Sequence, residues 1–283
     1  MARVLVAGCG YVGEAAANQF HAHGWEVEGW TGSAESASKL SERPYLVRAI
    51  DIGEREALAA AFGEFDVVIH CVSSRGGDER QYRRLYFDGA RNLRVRFPEA
   101  TILFTSSTSV YGQTDGSVVD ETSAAEPRHE KGKILRETED IVCAAGGIVL
   151  RLAGIHGPGR SAIVTKFLHG EMTAGAPGRL MNQVHRDDVV SALLLLAQRC
   201  EEYKGEIFNV AADQPITPRE AYDWLAPRLR KPLPVAPAHP ASSKRGESNK
   251  QVSNQKLRAL GWTPRYPNFQ AAMSESILPS LGF

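Results

Sequence analysis

Val4-Leu5-Val6-Ala7-Gly8-Cys9-Gly10-Tyr11-Val12-Gly13 is the stretch whose reading decides the fold of this chain. Val4 to Ala7 are four apolar residues in a row, the pattern of a strand buried on both faces in a parallel sheet. Gly8, Gly10 and Gly13 follow at once in G-x-G-x-x-G spacing, and Glu14 to His23 are helix formers with Ala15, Ala16 and Phe20 near one face. Strand, glycine turn and helix in that order give the motif a physical meaning. Gly8 permits the tight turn, Gly10 lets a pyrophosphate approach the backbone, and Gly13 lets helix and strand pack closely. The unpaired N–H groups of the helix's first turn, with its dipole, then favour an anion. The expectation is a nucleotide-binding turn that includes Tyr11 and Val12.

Working outward, strand and helix patterns alternate. Trp25–Trp30, Tyr45–Ile50, Asp66–Cys71, Ala100–Phe104 and Gly147–Leu152 read as further strands, with helices between most of them. This alternation predicts an α/β, doubly wound parallel sheet covered by helices on both faces. In such a sheet an acidic residue after the second strand favours NAD, and an arginine nearby accommodates NADP. Thr31, Gly32 and Ser33 stand there and are neither, so the choice stays open. The hydroxyls of Thr31 and Ser33 are of a kind that can bind a phosphate.

Composition narrows the function classes. The chain has 283 residues, 43% hydrophobic and 23% charged, and 33 basic residues balance 33 acidic ones. No global field points to nucleic acid or an anionic membrane. Arg80, Arg83, Arg84, Arg91, Arg94 and Arg96 crowd the predicted Asp78–Phe97 helix but spread around it, which reads as a solvated or subunit-contacting helix. The longest apolar stretch, Val189–Ala197 interrupted by Ser191, is too short to span a bilayer. Four cysteines lie inside predicted elements, with no C-x-x-C and no histidine partners at metal spacing, so no metal site is expected and the compartment is read as cytoplasmic. Lys231 to Ser248 holds four prolines and reads as a long loop, a candidate lid. Asp188 is expected to cap the helix that follows it.

Later motifs carry a resemblance. Asp51-Ile52 follows the third strand, and Ser106-Ser107-Thr108-Ser109-Val110-Tyr111-Gly112 the fifth. Arg151-Leu-Ala-Gly-Ile-His-Gly-Pro158, Val184-His-Arg-Asp-Asp188, Ile207-Phe-Asn-Val210 and Leu260-Gly-Trp-Thr-Pro264 come after them in order. With the glycine motif, these resemble the extended short-chain dehydrogenase/reductase family, the NAD-dependent epimerase/dehydratases, over nearly the whole chain. The resemblance implies a Rossmann-type dinucleotide domain over residues 1–152. Residues 153–283 would be mainly a substrate-binding region, with some segments returning to the sheet. It implies NAD or NADP as cofactor, a small-molecule substrate and a homodimer built on the helices near residues 78–97 and 128–145. Cofactor contacts are implied for Gly8, Gly10, Tyr11, Val12, Gly13, Thr31, Ser33, Asp51, Ile52, Cys71 and Lys133. Substrate contacts are implied for Ser107 and Thr108, with Arg179 and Arg186 as substitute anion ligands.

The catalytic pattern departs from the family. Ser107 occupies the serine position and Lys133 the lysine position, but His129 stands where the proton-transferring tyrosine belongs. His129, Lys133 and Glu137 are spaced to share one helix face. Imidazole titrates near neutrality and is the commonest general acid–base group, so His129 is one candidate replacement. Tyr111, four residues beyond Ser107, is another. Tyr86, Gly154 and Met181 also replace family asparagine and arginine positions, the last two being ones that meet sugar nucleotides. Two functions therefore stand side by side. One is an epimerase/dehydratase or reductase acting on a sugar nucleotide or another hydroxyl or carbonyl compound by hydride transfer. The other is an inactive NAD(P)-binding sensor or scaffold.

Overall fold

The computed structural model describes residues 1–59, 61–171, 178–234 and 248–283. Eleven strands occur among them: β1 (Arg3–Ala7), β2 (Glu26–Thr31), β3 (Leu46–Ala49), β4 (Val67–His70), β5 (Thr101–Ser107), β6 (Val118–Val119), β7 (Ile148–Leu152), β8 (Gly154–His156), β9 (Gln183–His185), β10 (Ile207–Val210) and β11 (Gln251–Val252). Seven form one parallel sheet in the order β10-β7-β5-β4-β1-β2-β3. The chain thus runs outward from β1 through β2 to β3, then returns to β1's other side with β4 and runs outward again through β5. The place where the order reverses is the carboxyl end of β1 and β4, where a doubly wound sheet opens a crevice. Gly8 follows β1 there and Cys71 follows β4.

Burial explains the central strands. Val4, Leu5, Val6 and Ala7 are all 0% exposed, as are Val68, Ile69 and Leu103 on the strands alongside. Residues buried on both faces need no alternation, which is why these strands read as continuous apolar runs.

Two compact units divide the chain. The first comprises residues 1–110, 125–151 and 189–208; the second comprises 111–124, 152–188 and 209–283. The second unit has its own core, in which Ile163, Val164 and Phe167 pack with Tyr222, Leu225, Phe269 and Met273. It also holds two short parallel pairs, β8 with β9 and β6 with β11. Its Pro218–Leu229 helix starts on a full capping box, Thr217 with Glu220, and proline at the first turn.

Several elements differ from the sequence reading. The Asp78–Phe97 helix is broken in character: Glu79–Arg83 and Gly89–Arg96 are α-helical, and Arg84–Asp88 between them is a π-turn. Its arginines are mostly tied within the chain. Arg83 meets Glu137 at 2.9 Å, Arg84 meets Asp51 and Glu54, Arg94 donates to the Pro98 carbonyl and Arg96 to those of Ala61 and Gly63. Asp188 does not cap the following helix, which starts at Arg186. Its carboxylate instead accepts the backbone N–H groups of Arg265 at 2.7 Å and Tyr266 at 3.2 Å, so it ties down a distant segment. The candidate lid falls largely on residues 235–247, outside the described residues. No helix among the described residues is long and apolar enough to cross a membrane.

Candidate functional site

The glycine turn has the geometry of a cradle. Gly8 takes φ +102°, and a Cβ on it would stand 2.5 Å from Val72 N. A Cβ on Gly13 would stand 2.2 Å from the Gly8 carbonyl oxygen, so the helix Gly13–Ala22 reaches the turn only because residue 13 has no side chain. Gly10 is different, because nothing lies within 4 Å of the place its Cβ would occupy. Two glycines are therefore demanded by the protein itself, and the middle one leaves open space beside the backbone. The Cys71 thiol donates to the Gly8 carbonyl at 3.3 Å and braces the turn from β4. Burial, and then Cys9 nearby, pushes the Cys71 pKa up, so this thiol stays protonated and acts as a donor.

Around the cradle, Thr31 donates its hydroxyl to the Ser33 carbonyl at 3.0 Å, and Ser33 Oγ accepts Ser36 N–H as the cap of a five-residue helix, Ala34–Ser38. The Asp51 carboxylate accepts Gly53 N–H at 2.9 Å and both terminal nitrogens of Arg84 at 3.0 Å. Ile52 is 2% exposed and packs where Gly89 has no side chain. His70, the last residue of β4, is fully buried; its ring lies near-parallel to Tyr86 with centroids 6.2 Å apart, and burial lowers its pKa to about 4.

At the end of β5, Ser106 and Ser107 point to different tasks. The Ser106 hydroxyl donates to Glu139 at 2.6 Å, and Glu139 also receives Arg151 through Nε and Nη2, the latter at 2.7 Å. Glu139 and Arg151 are 0% and 2% exposed, a fully buried pair. Ser107 is half-buried, and its Oγ accepts Ser109 N–H at 3.1 Å. Thr108 is buried in the short turn Thr108–Val110.

The helix that the sequence places at Arg128–Ala145 spans Glu130–Ala144, and His129 is its N-cap residue with extended backbone. His129 therefore stands at the start of the helix, its carbonyl accepting Lys133 N–H at 3.2 Å. Its ring is exposed and makes no hydrogen bond among the described residues. Lys133 is exposed too, its ammonium 3.4 Å from Glu130. Lys131, which the sequence reading passed over, reaches the turn before the Glu79–Arg83 helix. It donates to the Gly77 carbonyl, with its ammonium 5.5 Å from the Tyr82 ring centre. Two residues apart on a helix are about 200° apart around it, so spacing alone cannot say which lysine faces inward.

The second unit holds the remaining candidates. Tyr111 is 1% exposed, and its hydroxyl lies 2.8 Å from the Asp120 carbonyl and 2.9 Å from Asn209 Oδ1. A phenol so held is a packing residue whose hydroxyl has partners inside the protein. Arg186 pairs with the adjacent Asp187 at 2.9 Å. Arg179 donates to the Ser248 carbonyl at 3.2 Å. His185 accepts Asp187 N–H at Nδ1, which places its proton on Nε2, facing Ser276 Oγ at 2.9 Å. Lys250, also missed from the sequence, is 5% exposed.

Comparison with known proteins gives one consistent answer. The profile of the NAD dependent epimerase/dehydratase family matches residues 4–211. Protein YeeZ of Escherichia coli K12 is 31% identical over 280 residues, 95% of this chain and 97% of that protein. A provisional NAD-dependent epimerase/dehydratase from Methylobacillus flagellatus superposes with a TM-score of 0.82 at 26% identity, covering 100% of this chain and 99% of its own. The UDP-glucose 4-epimerase of Thermus thermophilus, solved with NAD, shares the fold with a TM-score of 0.81 at 22% identity, covering 99% of both chains. The glycine cradle at the reversal point of a seven-stranded parallel sheet, and the family match across it, lead to one conclusion: this chain belongs to the NAD dependent epimerase/dehydratase family.

Proposed function

We propose that this chain binds NAD or NADP on its glycine turn and uses it for reversible hydride transfer on a small hydroxyl or carbonyl compound. The carrying observation is the cradle. Gly8 and Gly13 have no room for a Cβ, while Gly10 opens onto free space where a pyrophosphate would approach the backbone. When bound, the nicotinamide would accept or donate the hydride. The protein's own groups do the rest. Tyr11 and Val12 complete the turn, with Cys71 bracing it. Thr31 and Ser33 lie where the adenosine ribose would fall, and Asp51 with Ile52 beside the adenine. Ser107 and Thr108 orient the substrate oxygen, and His129 moves its proton. Lys133 is the proposed ribose contact, with Lys131 as its competitor on the same helix.

A second reading is that the chain binds the dinucleotide without turnover. It is favoured by Ser107 Oγ already accepting Ser109 N–H and by Lys133 standing beside Glu130. A sugar nucleotide is the family's usual substrate. Gly154 and Met181 in place of asparagine and arginine favour a different hydroxyl compound. We expect calorimetry with NAD+, NADH, NADP+ and NADPH to give saturable heat for at least one form; four blank titrations would overturn both readings. His129→Phe should abolish turnover and leave cofactor affinity within about twofold, or ~0.4 kcal/mol. Full activity in that variant removes His129 from the chemistry. Lys133→Met should weaken cofactor binding, and an effect confined to Lys131→Met would transfer the role.

A further inference from the structure

The end of β2 lacks the group by which such a sheet holds NAD. Trp30, next to last in that strand, is docked on the glycine turn, its carbonyl accepting the N–H groups of Gly8 at 3.0 Å and Cys9 at 2.8 Å. Thr31, Gly32 and Ser33 therefore follow directly beside the cradle. An NAD site places a carboxylate here to accept the ribose 2′-hydroxyl. Thr31 and Ser33 carry none, and their hydroxyls are committed. Thr31 Oγ1 donates to the Ser33 carbonyl at 3.0 Å, and Ser33 Oγ donates to Ser36 Oγ at 3.0 Å. Gly32 is exposed, and nothing lies within 4 Å of the place its Cβ would occupy. The room for a carboxylate exists, and the sequence puts no side chain in it.

The carboxylates nearby already have partners. Glu28, 8% exposed, is held by Trp30 Nε1 at 2.7 Å and by Arg48 at 3.1 Å. Glu14 pairs with Arg43, and Glu35 with Lys39 at 2.7 Å. These pairs also neutralise their basic members. Arg75 is different. It is exposed in the loop after β4, the same loop whose Val72 N lies against Gly8. Its backbone is fixed at φ +48°, with its N–H on Ser73 Oγ at 3.3 Å. Among the described residues no carboxylate stands within ion-pair reach of its guanidinium. Its field reaches the helix after Ser33. The hydrogen bond and charge of Lys39 first, and Arg75 after them, hold the Glu35 carboxyl below its ordinary range. The charge left uncompensated beside the cradle is positive.

We propose that this chain selects NADP(H) over NAD(H), with Arg75 as the ligand of the ribose 2′-phosphate. This selectivity rests on the dinucleotide binding proposed above. A guanidinium presents a planar donor fork that matches a phosphate, and the ion pair it makes is charge-assisted. The 2′-hydroxyl of NAD would meet no carboxylate at this place.

The test titrates the full chain with NADPH and with NADH by calorimetry. NADPH should bind at least about tenfold more tightly, the scale of one charge-assisted hydrogen bond. Arg75→Gln should remove that preference by weakening NADPH, with NADH affinity kept within about twofold. Gly32→Asp, which the open space accommodates, should strengthen NADH and weaken NADPH, since its carboxylate accepts a hydroxyl and repels a phosphate. Equal or tighter binding of NADH by the unmodified protein overturns the selectivity and leaves the proposed function standing. An equal loss of both affinities in Arg75→Gln also overturns it, because Arg75 would then not be reading the 2′-phosphate. Blank titrations with both forms sink the proposed function and the selectivity with it.

Discussion

Glu139 shows at the residue scale how a single side chain can matter more than its position in the sequence suggests. It sits in a helix rich in charge, between Glu137 and Asp140, which are exposed, yet it is 0% exposed and holds Arg151 and Ser106 together. Removing one partner of a buried ion pair strands the other charge. We therefore expect Glu139→Ala to cost about 3–5 kcal/mol of stability. Urea unfolding at unchanged m-value measures this, and a loss under about 1 kcal/mol, the worth of a surface pair, would contradict it. Because Ser106 precedes Ser107 directly, the same variant should also loosen the turn that carries Ser107. Little of this was legible in the sequence. Burial of one carboxylate among several on a helix depends on which face meets the sheet, and the sequence showed Glu137, not Glu139, at the expected spacing.

The glycine turn is the element on which the functional reading stands, and its three glycines separate fold from binding. Gly8 and Gly13 are required by backbone contacts inside the protein, whereas Gly10 has open space around it. Gly10→Ala should therefore leave stability within about 1 kcal/mol of the parent, since an alanine without strain there changes mainly the unfolded chain. Dinucleotide affinity should fall at least about tenfold, or ~1.4 kcal/mol, because the added methyl stands in the approach to the backbone. Thermal unfolding and calorimetry on the same sample check both halves, and undiminished affinity would remove Gly10 from the cradle. The turn was legible in the sequence because its rule is local: strand, glycine spacing and helix lie within about twenty residues. The π-turn at Arg84–Asp88 was not legible, because its extra residue is accommodated by packing and leaves no compositional mark.

Over the whole molecule, buried histidines set the expected response to acid. Burial holds His70 and His185 at about 4 and His156 at about 3, against an ordinary value of 6.5. Above about pH 6.5 both folded and unfolded chains leave these rings neutral. Between about 6.5 and 4 the unfolded chain takes up protons that the folded chain refuses, so stability falls as pH falls, by up to about 1.4 kcal/mol per pH unit for each ring. Asp188 acts in the opposite sense. Burial raises its pKa to about 6 from 3.8, so below that value the folded form holds the extra proton and offsets about one ring's worth. Net destabilisation remains. The midpoint of urea unfolding should drop clearly from pH 7 to pH 5, and a flat profile would contradict the neutral, buried assignment of these rings.

By itself the sequence determined the parallel α/β sheet, the place of the glycine turn and the family, since each rests on short-range patterns of burial, glycine spacing and ordered motifs. Tertiary structure decided the partners. Asp188 meets a backbone N–H 77 residues away, and Lys250 meets a carbonyl 139 residues away. Tyr111 is withdrawn into packing by Asp120 and Asn209, and Lys131 rather than Lys133 reaches Gly77. Hydrogen-bond partners and helix rotation depend on how distant segments meet, and no local spacing encodes that meeting.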